Sequence, residues 1–275
     1  MKNIVNIKNL NYKPFDNFNL TIKENSFIAI SGPNNSGKTT LMRILNGEID
    51  KNLPVKIFEK HLSDYKLGEY GEIVKGVFPL GEEFNSTLEE EISKINIKIS
   101  SEEKNIILKK LHLQKLLKTY FNQMTEKEII LCQLLKALLQ HPKILLIDEL
   151  YLYFSHQEIM NIINFLKEYQ QENDIVIIYT TINLEETIDL DYLYIISNTE
   201  VIIEGKPLEA LQNDNLLNKL GLRVPFMVDL SVKLRDYDLL SDIELTPEGL
   251  VDKLWKWYLV EKIYHLKYLI NQLLE

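Results

Sequence analysis

The chain has a single cysteine, Cys132, among its 275 residues. One cysteine excludes an internal disulfide framework and fits a reducing compartment, and its place in an apolar helical run predicts a small core residue. No apolar run approaches the roughly 20 residues that a membrane-spanning helix needs. No signal peptide is expected, because the start of the chain leads straight into a polar stretch. Work at a membrane would therefore require docking to it.

Positive charge is also scarce. The 31 Lys and Arg residues are outnumbered by 40 Asp and Glu residues, which gives a formal net charge of −9. Because binding to nucleic-acid phosphates needs clustered Lys and Arg, this balance argues against nucleic acid as a main partner. The length is sufficient for one large domain with a smaller appendage.

What the chain does contain is a phosphate-binding pattern between an apolar strand near residues 26–30 and a helix. Gly32 and Gly37 are predicted to let the backbone curl, so that successive N–H groups point at phosphates near the helix N-terminus. Lys38 is predicted to supply charge for the β- and γ-phosphates, and the Thr39 hydroxyl to ligate Mg²⁺. A Gly-containing turn ahead of a helix is the alternative, and the Lys-Thr pair argues against it. The predicted nucleotide-binding residues of this loop are Gly32, Asn34, Asn35, Ser36, Gly37, Lys38, Thr39 and Thr40.

A second pattern is the apolar run 143–147 that ends in Asp148 and Glu149. Four successive aliphatic residues suit a parallel strand buried on both faces, and acids at its carboxyl end lie where open α/β sheets bind ligands. Asp148 is predicted to hold Mg²⁺ through water and Glu149 to polarise the attacking water. The predicted catalytic residues are therefore Lys38 and Glu149, and the predicted metal ligands are Thr39 and Asp148. A core strand ending in a solvated acidic turn is the alternative, which the upstream phosphate loop disfavours.

The remaining pattern predicts a β-rich start, a helical middle and a mixed end. Further strands are expected near residues 4–7, 18–22, 55–58, 73–78, 174–179, 192–197 and 201–204. From about Thr87 to Gln140 the pattern is helical, and a helix is expected from Gln157 to Gln170. One amphipathic face in the helical middle is predicted from Ile106, Leu108, Leu111 and Leu113.

The tail predicts two helices, one from Pro225 to Arg235 and one that begins at Pro247 with Thr246 as its N-cap. Apolar residues recur there at helical spacing, namely Leu254, Trp257, Ile263, Leu266, Ile270 and Leu273. Such a stripe more often packs on its own domain than on a partner. Its position past the nucleotide core keeps self-association open.

The order and spacing of elements over residues 1 to about 205 resemble the ATP-binding subunit of an ABC transporter. The tail from Leu220 to Trp255 looks like the C-terminal domain of energy-coupling factor ATPases, a bacterial family that drives vitamin and metal-ion import. The likeness is greatest to the first of its two A-type subunits. The implied fold is an α/β P-loop NTPase with a RecA-like core and an antiparallel β lobe (1–86 and 142–205). A helical subdomain (87–141) and a small α-rich C-terminal domain (206–275) complete it.

The resemblance also implies cofactors, partners and a location. ATP and Mg²⁺ are the expected cofactors, and Tyr12 is expected to stack on the adenine, although a lone Tyr there is equally consistent with a core position. The expected partners are a second ABC ATPase subunit, a transmembrane coupling subunit and a substrate-binding membrane component. A heterodimer is favoured and a homodimer stays open. The implied location is the cytoplasmic face of the cell membrane, with the groove around Phe78 to Phe84 facing the membrane subunit.

Several positions depart from the family pattern. The signature Leu-Ser-Gly-Gly-Gln falls on residues 124–128, which read Met-Thr-Glu-Lys-Glu and lack both glycines. Glu126 is expected to bring negative charge toward the triphosphate of the opposite subunit. Pro79 stands near the expected glutamine, and Thr180-Thr181 stand where the switch histidine is expected. Residues 150–155 replace Pro-Thr-Ser-Gly-Leu-Asp, and Asn35, which tolerates positive φ, replaces a loop glycine.

Two functions remain open on this reading. The first is an ATP-binding subunit of an energy-coupling factor importer, which couples ATP binding, with or without hydrolysis, to uptake of a vitamin or metal ion. The alternative is a catalytically impaired structural or regulatory subunit paired with an active ATPase. An ABC-type ATPase acting on DNA or ribosomes fits poorly, because those proteins carry coiled insertions or tandem cassettes.

Overall fold

The structure is a computed structural model that describes residues 2–24, 26–66, 68–79, 85–95, 100–197 and 199–274. The Phe84 end of the groove predicted to face a membrane subunit, residues 80–84, lies outside these ranges. The chain divides into two compact units, Met1–Pro207 and Leu208–Glu275. Within the described ranges, no helix combines the length and the apolar character that crossing a membrane demands.

The strands all lie in the first unit and form two sheets. They are β1 Asn3–Tyr12, β2 Phe15–Lys23, β3 Phe27–Ser31, β4 Val55–Ile57, β5 Lys60–His61, β6 Val74–Val77, β7 Ile144–Ile147, β8 Val176–Thr181, β9 Tyr192–Ser197 and β10 Glu200–Gly205. The smaller sheet is antiparallel with the order β2-β1-β4-β5. The larger has the order β10-β9-β3-β8-β7-β6, parallel except at the β9–β10 pair.

Helices cover the larger sheet and make up the second unit. They are α1 Lys38–Leu45, α2 Glu69–Ile73, α3 Leu88–Ser93, α4 Ser101–Lys110, α5 Glu126–Leu138, α6 His156–Asn173, α7 Pro207–Ala210, α8 Asp214–Lys219, α9 Phe226–Asp236 and α10 Pro247–Leu274. Single turns of 3-10 helix cover Leu62–Asp64, Gln114–Leu116, Phe121–Gln123, Leu150–Leu152 and Leu184–Thr187.

The central strands of the larger sheet are buried along their whole length, as the apolar runs predict. Every residue of β3, β7 and β8 is buried, which is typical of parallel strands covered on both faces. These three strands are parallel neighbours, so their carboxyl ends lie at the same edge of the sheet. Residue 31 ends β3, residue 181 ends β8, and residue 148 directly follows β7. The predicted α/β fold with an antiparallel β lobe is confirmed.

Helix α1 is held by a core that spans both sheets. Its Leu41, Met42, Ile44 and Leu45 are buried among apolar side chains of the β1–β2 hairpin and of β3. The Tyr194 hydroxyl on β9 also donates to the backbone carbonyl of Thr21 on β2 at 2.6 Å. The position of the loop ahead of α1 is therefore fixed by the packing of the helix that follows it.

The amphipathic face predicted in the helical middle is wrong at one position. In α4, Ile106 is 52% exposed, whereas its neighbour Ile107 is buried together with Leu108. Three apolar residues stand in succession here, so their spacing alone does not select which two face the core. The predictions for Leu111 and Leu113, both buried, are confirmed.

The second unit is helical, and its longest helix carries exposed apolar side chains over its described first half. Gly249 N–H donates to Thr246 Oγ1 at 3.1 Å, which confirms Thr246 as the cap of α10. Trp255 is 60% exposed and Trp257 is 38% exposed. The prediction that the apolar stripe packs on its own domain is therefore wrong at Trp257, and its positions 263, 266, 270 and 273 lie outside the described side chains.

Candidate functional site

The loop between β3 and α1 is shaped by residues with left-handed backbone conformation. Asn35 has a φ of 64° and Gly37 a φ of 100°, a region that side chains other than Gly and Asn rarely enter. The prediction that Asn35 tolerates positive φ is therefore confirmed. Helix α1 begins at Lys38, directly after the loop, so the partial positive charge of its N-terminus faces the loop.

Both glycines of the loop are also required by close packing. A Cβ on Gly32 would lie 2.1 Å from the carbonyl oxygen of Ile196 on β9. A Cβ on Gly37 would lie 2.7 Å from Cζ of Phe15 on the β1–β2 hairpin. These separations are well inside van der Waals contact, so no other residue fits at either position without a shift. The motif spacing indicates the curl of the loop but gives no sign of these two neighbours.

The Lys38 side chain runs back across the loop. Its ammonium is buried and donates to the carbonyl oxygens of Gly32 at 2.9 Å and Pro33 at 3.0 Å. Burial lowers the pKa of Lys38, while the negative charges of Glu149 and Asp148 oppose that shift. The predicted catalytic lysine is thus brought close to both predicted acids.

The two acids follow β7 at the carboxyl edge of the larger sheet. Asp148 is buried, and its carboxylate accepts a hydrogen bond from the Thr180 hydroxyl on β8. Burial raises the pKa of Asp148, although hydrogen bonds from Thr180 and Thr39 lower it. Thr39 and Asp148, the predicted metal ligands, are therefore brought together. Glu149 follows with a φ of 51°.

These residues fit a phosphate ester and a hard cation. Ser36 Oγ in the loop is buried and has no hydrogen-bond partner within the described ranges, so it is available to a phosphate oxygen. Thr39 and Asp148 offer oxygen donors only, which is the chemistry Mg²⁺ takes when waters and phosphates complete its shell. Among the described residues there is no group of three or more His, Cys, Asp or Glu side chains that could hold a metal ion by itself.

The other predicted binding residues lie around this centre. Thr40 is half-buried in α1, and Asn34 and Asn35 are exposed at the tip of the loop. Tyr12 is 37% exposed at the end of β1, where it pairs with Phe15 of β2. Phe15 approaches Gly37, so the hairpin that carries Tyr12 contacts the phosphate loop.

Residues 15–151, which include the loop, the two acids and the helical segment between them, match the model of the ABC transporter family. This chain belongs to that family.

The similar proteins agree with that assignment. This chain is 27% identical over 262 residues to the energy-coupling factor transporter ATP-binding protein EcfA of Pediococcus pentosaceus. The alignment covers 89% of this chain and 94% of the relative. It is 27% identical over 223 residues to the zinc import ATP-binding protein ZnuC of Ehrlichia canis, covering 78% and 88%. A solved structure of cbiO1 from Clostridium perfringens, part of the ABC transporter complex cbiONQ, shares the fold. Its TM-score is 0.67 at 23% identity, covering 84% of this chain and 99% of that one.

Residues 124–128, where the ABC signature is expected, form a capped helix start. Thr125 caps α5 and exchanges hydrogen bonds with Glu128 in a capping box. Lys127 Nζ contacts the Glu158 carboxylate on α6 at 2.8 Å. Glu126 is the first helical residue and is exposed. The polar groups at this helix start are therefore largely satisfied by one another.

The end of β8, where the ABC switch histidine is expected, carries a buried polar network instead. Glu186 is 1% exposed, and its carboxylate accepts hydrogen bonds from the hydroxyls of Tyr179 at 2.5 Å and Thr181 at 2.7 Å. The Asn183 amide donates to the same carboxylate at 3.0 Å. The sequence offers one signal of this network, a pair of threonines at the end of an otherwise apolar strand, but not its partners.

Residues 150–155 form a turn of 3-10 helix and the cap of α6. Burial and the nearby carboxylate of Glu149 raise the pKa of Tyr151, so its phenol stays protonated. Ser155 caps α6 and forms a capping box with Glu158. Tyr151 is a neighbour of the predicted catalytic acid that the sequence pattern does not reveal.

A cleft of about 950 Å³ lies beside the site, between the larger sheet and the helical segment. Phe78, Pro79 and Ile95 supply apolar wall, and the ring of Phe78 occupies the space in which a Cβ on Gly76 would lie, at 2.1 Å. Gln133 Oε1 in the wall is buried without a hydrogen-bond partner in the part of the chain described. At the base, the buried Glu91 carboxylate accepts hydrogen bonds from Ser86 and Lys136, each at 2.7 Å.

Proposed function

We propose that this chain binds Mg²⁺-ATP as the ATP-binding subunit of an energy-coupling factor-type importer that takes up a vitamin or a metal ion. One observation carries the proposal: Lys38, Thr39 and Asp148 converge on a loop whose glycines leave no room for a Cβ. The likeness to EcfA over 94% of that relative's length supports the importer type.

In this proposal the residues of the loop hold the phosphates and the acids act on the cation and water. Lys38 and the α1 N-terminus balance phosphate charge, while Thr39 and Asp148 hold the Mg²⁺. The bound cation neutralises charge that develops on the phosphoryl group. Glu149 orients the attacking water and accepts its proton. Tyr12 covers the adenine.

A second candidate function is a subunit that holds ATP and leaves hydrolysis to a partner. The start of α5 favours it, because Thr125 and Glu128 satisfy each other and Glu126 adds negative charge where ABC proteins place two glycines. The buried Glu186 network in place of the switch histidine favours it as well. Retention of Glu149 beside Lys38 supports the hydrolytic alternative.

The partners follow from the same proposal. A second ABC ATPase subunit, in a heterodimer by preference, would complete the nucleotide site, and a transmembrane coupling subunit and a substrate-binding membrane component would complete the importer at the cytoplasmic face of the membrane. The cleft beside the site supports a helix-sized partner, since it offers apolar wall and the unpartnered Gln133 Oε1. No role for nucleic acid is proposed.

The deciding experiment is Mg²⁺-ATP turnover by the purified chain, alone and with its co-purifying partner, beside Glu149→Gln. Turnover that disappears in Glu149→Gln, with ATP binding kept, identifies a working ATPase with Glu149 as its catalytic carboxylate. Tight ATP binding without Glu149-dependent turnover identifies the nucleotide-holding subunit. Absence of ATP binding by the wild type contradicts both.

A further inference from the structure

The two threonines that end β8 contact different acids. Thr180 and Thr181 are both fully buried, at 0% exposure. The Thr181 hydroxyl donates to Glu186, away from the predicted metal ligands, at 2.7 Å. The Thr180 hydroxyl donates to Oδ1 of Asp148, and its oxygen also accepts the backbone N–H of Glu149 at 3.1 Å.

The chemistry of a hydroxyl fixes the direction of both contacts of Thr180. A threonine hydroxyl has one proton and two lone pairs. Ionised Asp148 can only accept, and the backbone N–H of Glu149 can only donate. The single proton of Thr180 therefore points to Asp148, and a lone pair faces Glu149. One side chain thus joins the side chain of one acid to the backbone of the next.

The backbone of Glu149 makes that second contact consequential. With a φ of 51°, Glu149 adopts a left-handed conformation that is strained for a residue with a side chain. Such a conformation persists only when its surroundings hold it in place. The hydrogen bond from Glu149 N–H to Thr180 is one such restraint, and it comes from a neighbouring strand rather than from the turn itself.

We propose that Thr180 is a positioning residue that holds Asp148 and Glu149 in register with each other at the carboxyl edge of the sheet. It keeps the Asp148 carboxylate oriented toward Thr39 and the cation position, and it keeps the Glu149 backbone in its strained turn. The inference rests on the proposed binding of Mg²⁺-ATP. It assigns to Thr180 an effect on the Mg²⁺-dependent part of that binding.

The test compares ATP affinity with Mg²⁺ and with EDTA, measured by isothermal titration calorimetry on the full chain. Thr180→Val keeps the shape of the side chain and removes the hydroxyl. It is expected to reduce the gain in ATP affinity that Mg²⁺ provides by about tenfold, the usual range for losing a hydrogen bond to a charged group. ATP affinity in EDTA is expected to change less than about twofold, because the phosphate loop is untouched.

Two variants separate positioning from general stability. Thr180→Ser restores the hydroxyl and is expected to restore most of the Mg²⁺ gain. Thr181→Val removes an equally buried hydroxyl from the neighbouring residue and is expected to leave the Mg²⁺ gain unchanged, even where thermal unfolding shows that it destabilises the fold. If Thr180→Val does not fold, the same titrations are made with Thr180→Ala, which introduces no methyl in place of the hydroxyl.

The outcomes are distinguishable. An unchanged Mg²⁺ gain in Thr180→Val, or an equal loss in Thr181→Val, overturns the inference and leaves ATP binding standing. A wild-type chain that binds ATP equally with and without Mg²⁺ also overturns it. A wild-type chain that binds no ATP overturns the proposed function and this inference together.

Discussion

The phosphate loop and the start of α5 are both polar segments that lead into a helix, but their polar groups are engaged differently. In the loop, Ser36 Oγ has no hydrogen-bond partner within the described ranges, and Lys38 donates to carbonyl oxygens of the loop itself. At the start of α5, Thr125 and Glu128 bond to each other, and Lys127 pairs with Glu158. A helix N-terminus serves an anion only where its donors have not been satisfied locally.

In the proposed function, the loop holds a nucleotide in this chain, whereas the start of α5 would act on a nucleotide held by a partner subunit. The loop is buried at Gly32, Ser36 and Lys38, and its two glycines are constrained by backbone and ring contacts, so we expect those positions to tolerate little change. The start of α5 is exposed and closed by local side chains. The following changes test whether the two segments differ in this way.

The largest expected effect is on ATP affinity in Lys38→Ala. Removing the one ammonium that spans the loop is expected to weaken Mg²⁺-ATP binding at least about 100-fold, since charge-assisted contacts to phosphate are lost. Because the hydrogen bonds from Lys38 to the carbonyls of Gly32 and Pro33 are lost as well, thermal unfolding is used to check that the variant remains folded. Lys127→Ala, which removes the cation of the other helix start, serves as the control in the same calorimetric titration. Equal affinities in the two variants would remove the distinction between the segments.

The next effect is on stability in Gly32→Ala. The new Cβ would lie 2.1 Å from a backbone oxygen of β9, and backbone cannot move aside as a flexible side chain can. We expect a loss of about 2–4 kcal/mol in the free energy of unfolding, measured by urea denaturation. Gly71→Ala has open space around it and lies within α2. It should instead stabilise by about 0.5–1 kcal/mol, and destabilisation of both by similar amounts would refute the packing argument.

A smaller effect concerns the anchoring of α5 through Glu91. Burial raises the pKa of Glu91, but hydrogen bonds from Lys136, Lys94 and Ser86 outweigh it and lower the pKa to about 2. The stabilisation from ionised Glu91 is therefore complete above its unfolded pKa and is lost as the pH falls toward 2. Glu91→Gln should cost about 2–3 kcal/mol at neutral pH, and the difference from wild type should shrink below about pH 4.

Glu89→Gln is the matched control for that variant, since Glu89 is exposed on the same helix. Its effect should stay within about 0.5 kcal/mol at every pH. Because Gln keeps the shape of the side chain, a pH-independent cost in Glu91→Gln would mean that the loss of a hydrogen-bond acceptor, and not of charge, matters at the base of the cleft.

The smallest expected effect is a gain of a few-fold in turnover when glycines replace residues 126 and 127. Glu126→Gly with Lys127→Gly removes the acid and opens the backbone at the start of α5, at a cost of about 1–2 kcal/mol in stability. Turnover is measured with the co-purifying partner present. Glu126→Ala with Lys127→Ala removes the same charges but keeps Cβ atoms, so it separates repulsion from close approach. No gain in either variant favours the nucleotide-holding function.

Local patterns in the sequence predicted most of the fold and the centre of the site. The loop 32–39 and the strand that precedes Asp148 are each contiguous in sequence, so spacing alone was enough to predict their structure. What the sequence did not predict are contacts between distant segments, such as Ile196 against Gly32 or Thr180 against Asp148. Ile106 was misplaced for a different reason, because a run of adjacent apolar residues has no periodicity that selects a face.

The placement of the tryptophans has a spectroscopic consequence. Both tryptophans of the chain, Trp255 and Trp257, lie in α10 and are partly exposed. Intrinsic emission excited at the red edge of protein absorption therefore reports on the second unit alone, and the nucleotide site is silent. A shift in that emission when ATP is added would be a signal transmitted from one unit to the other, obtained without attaching a dye.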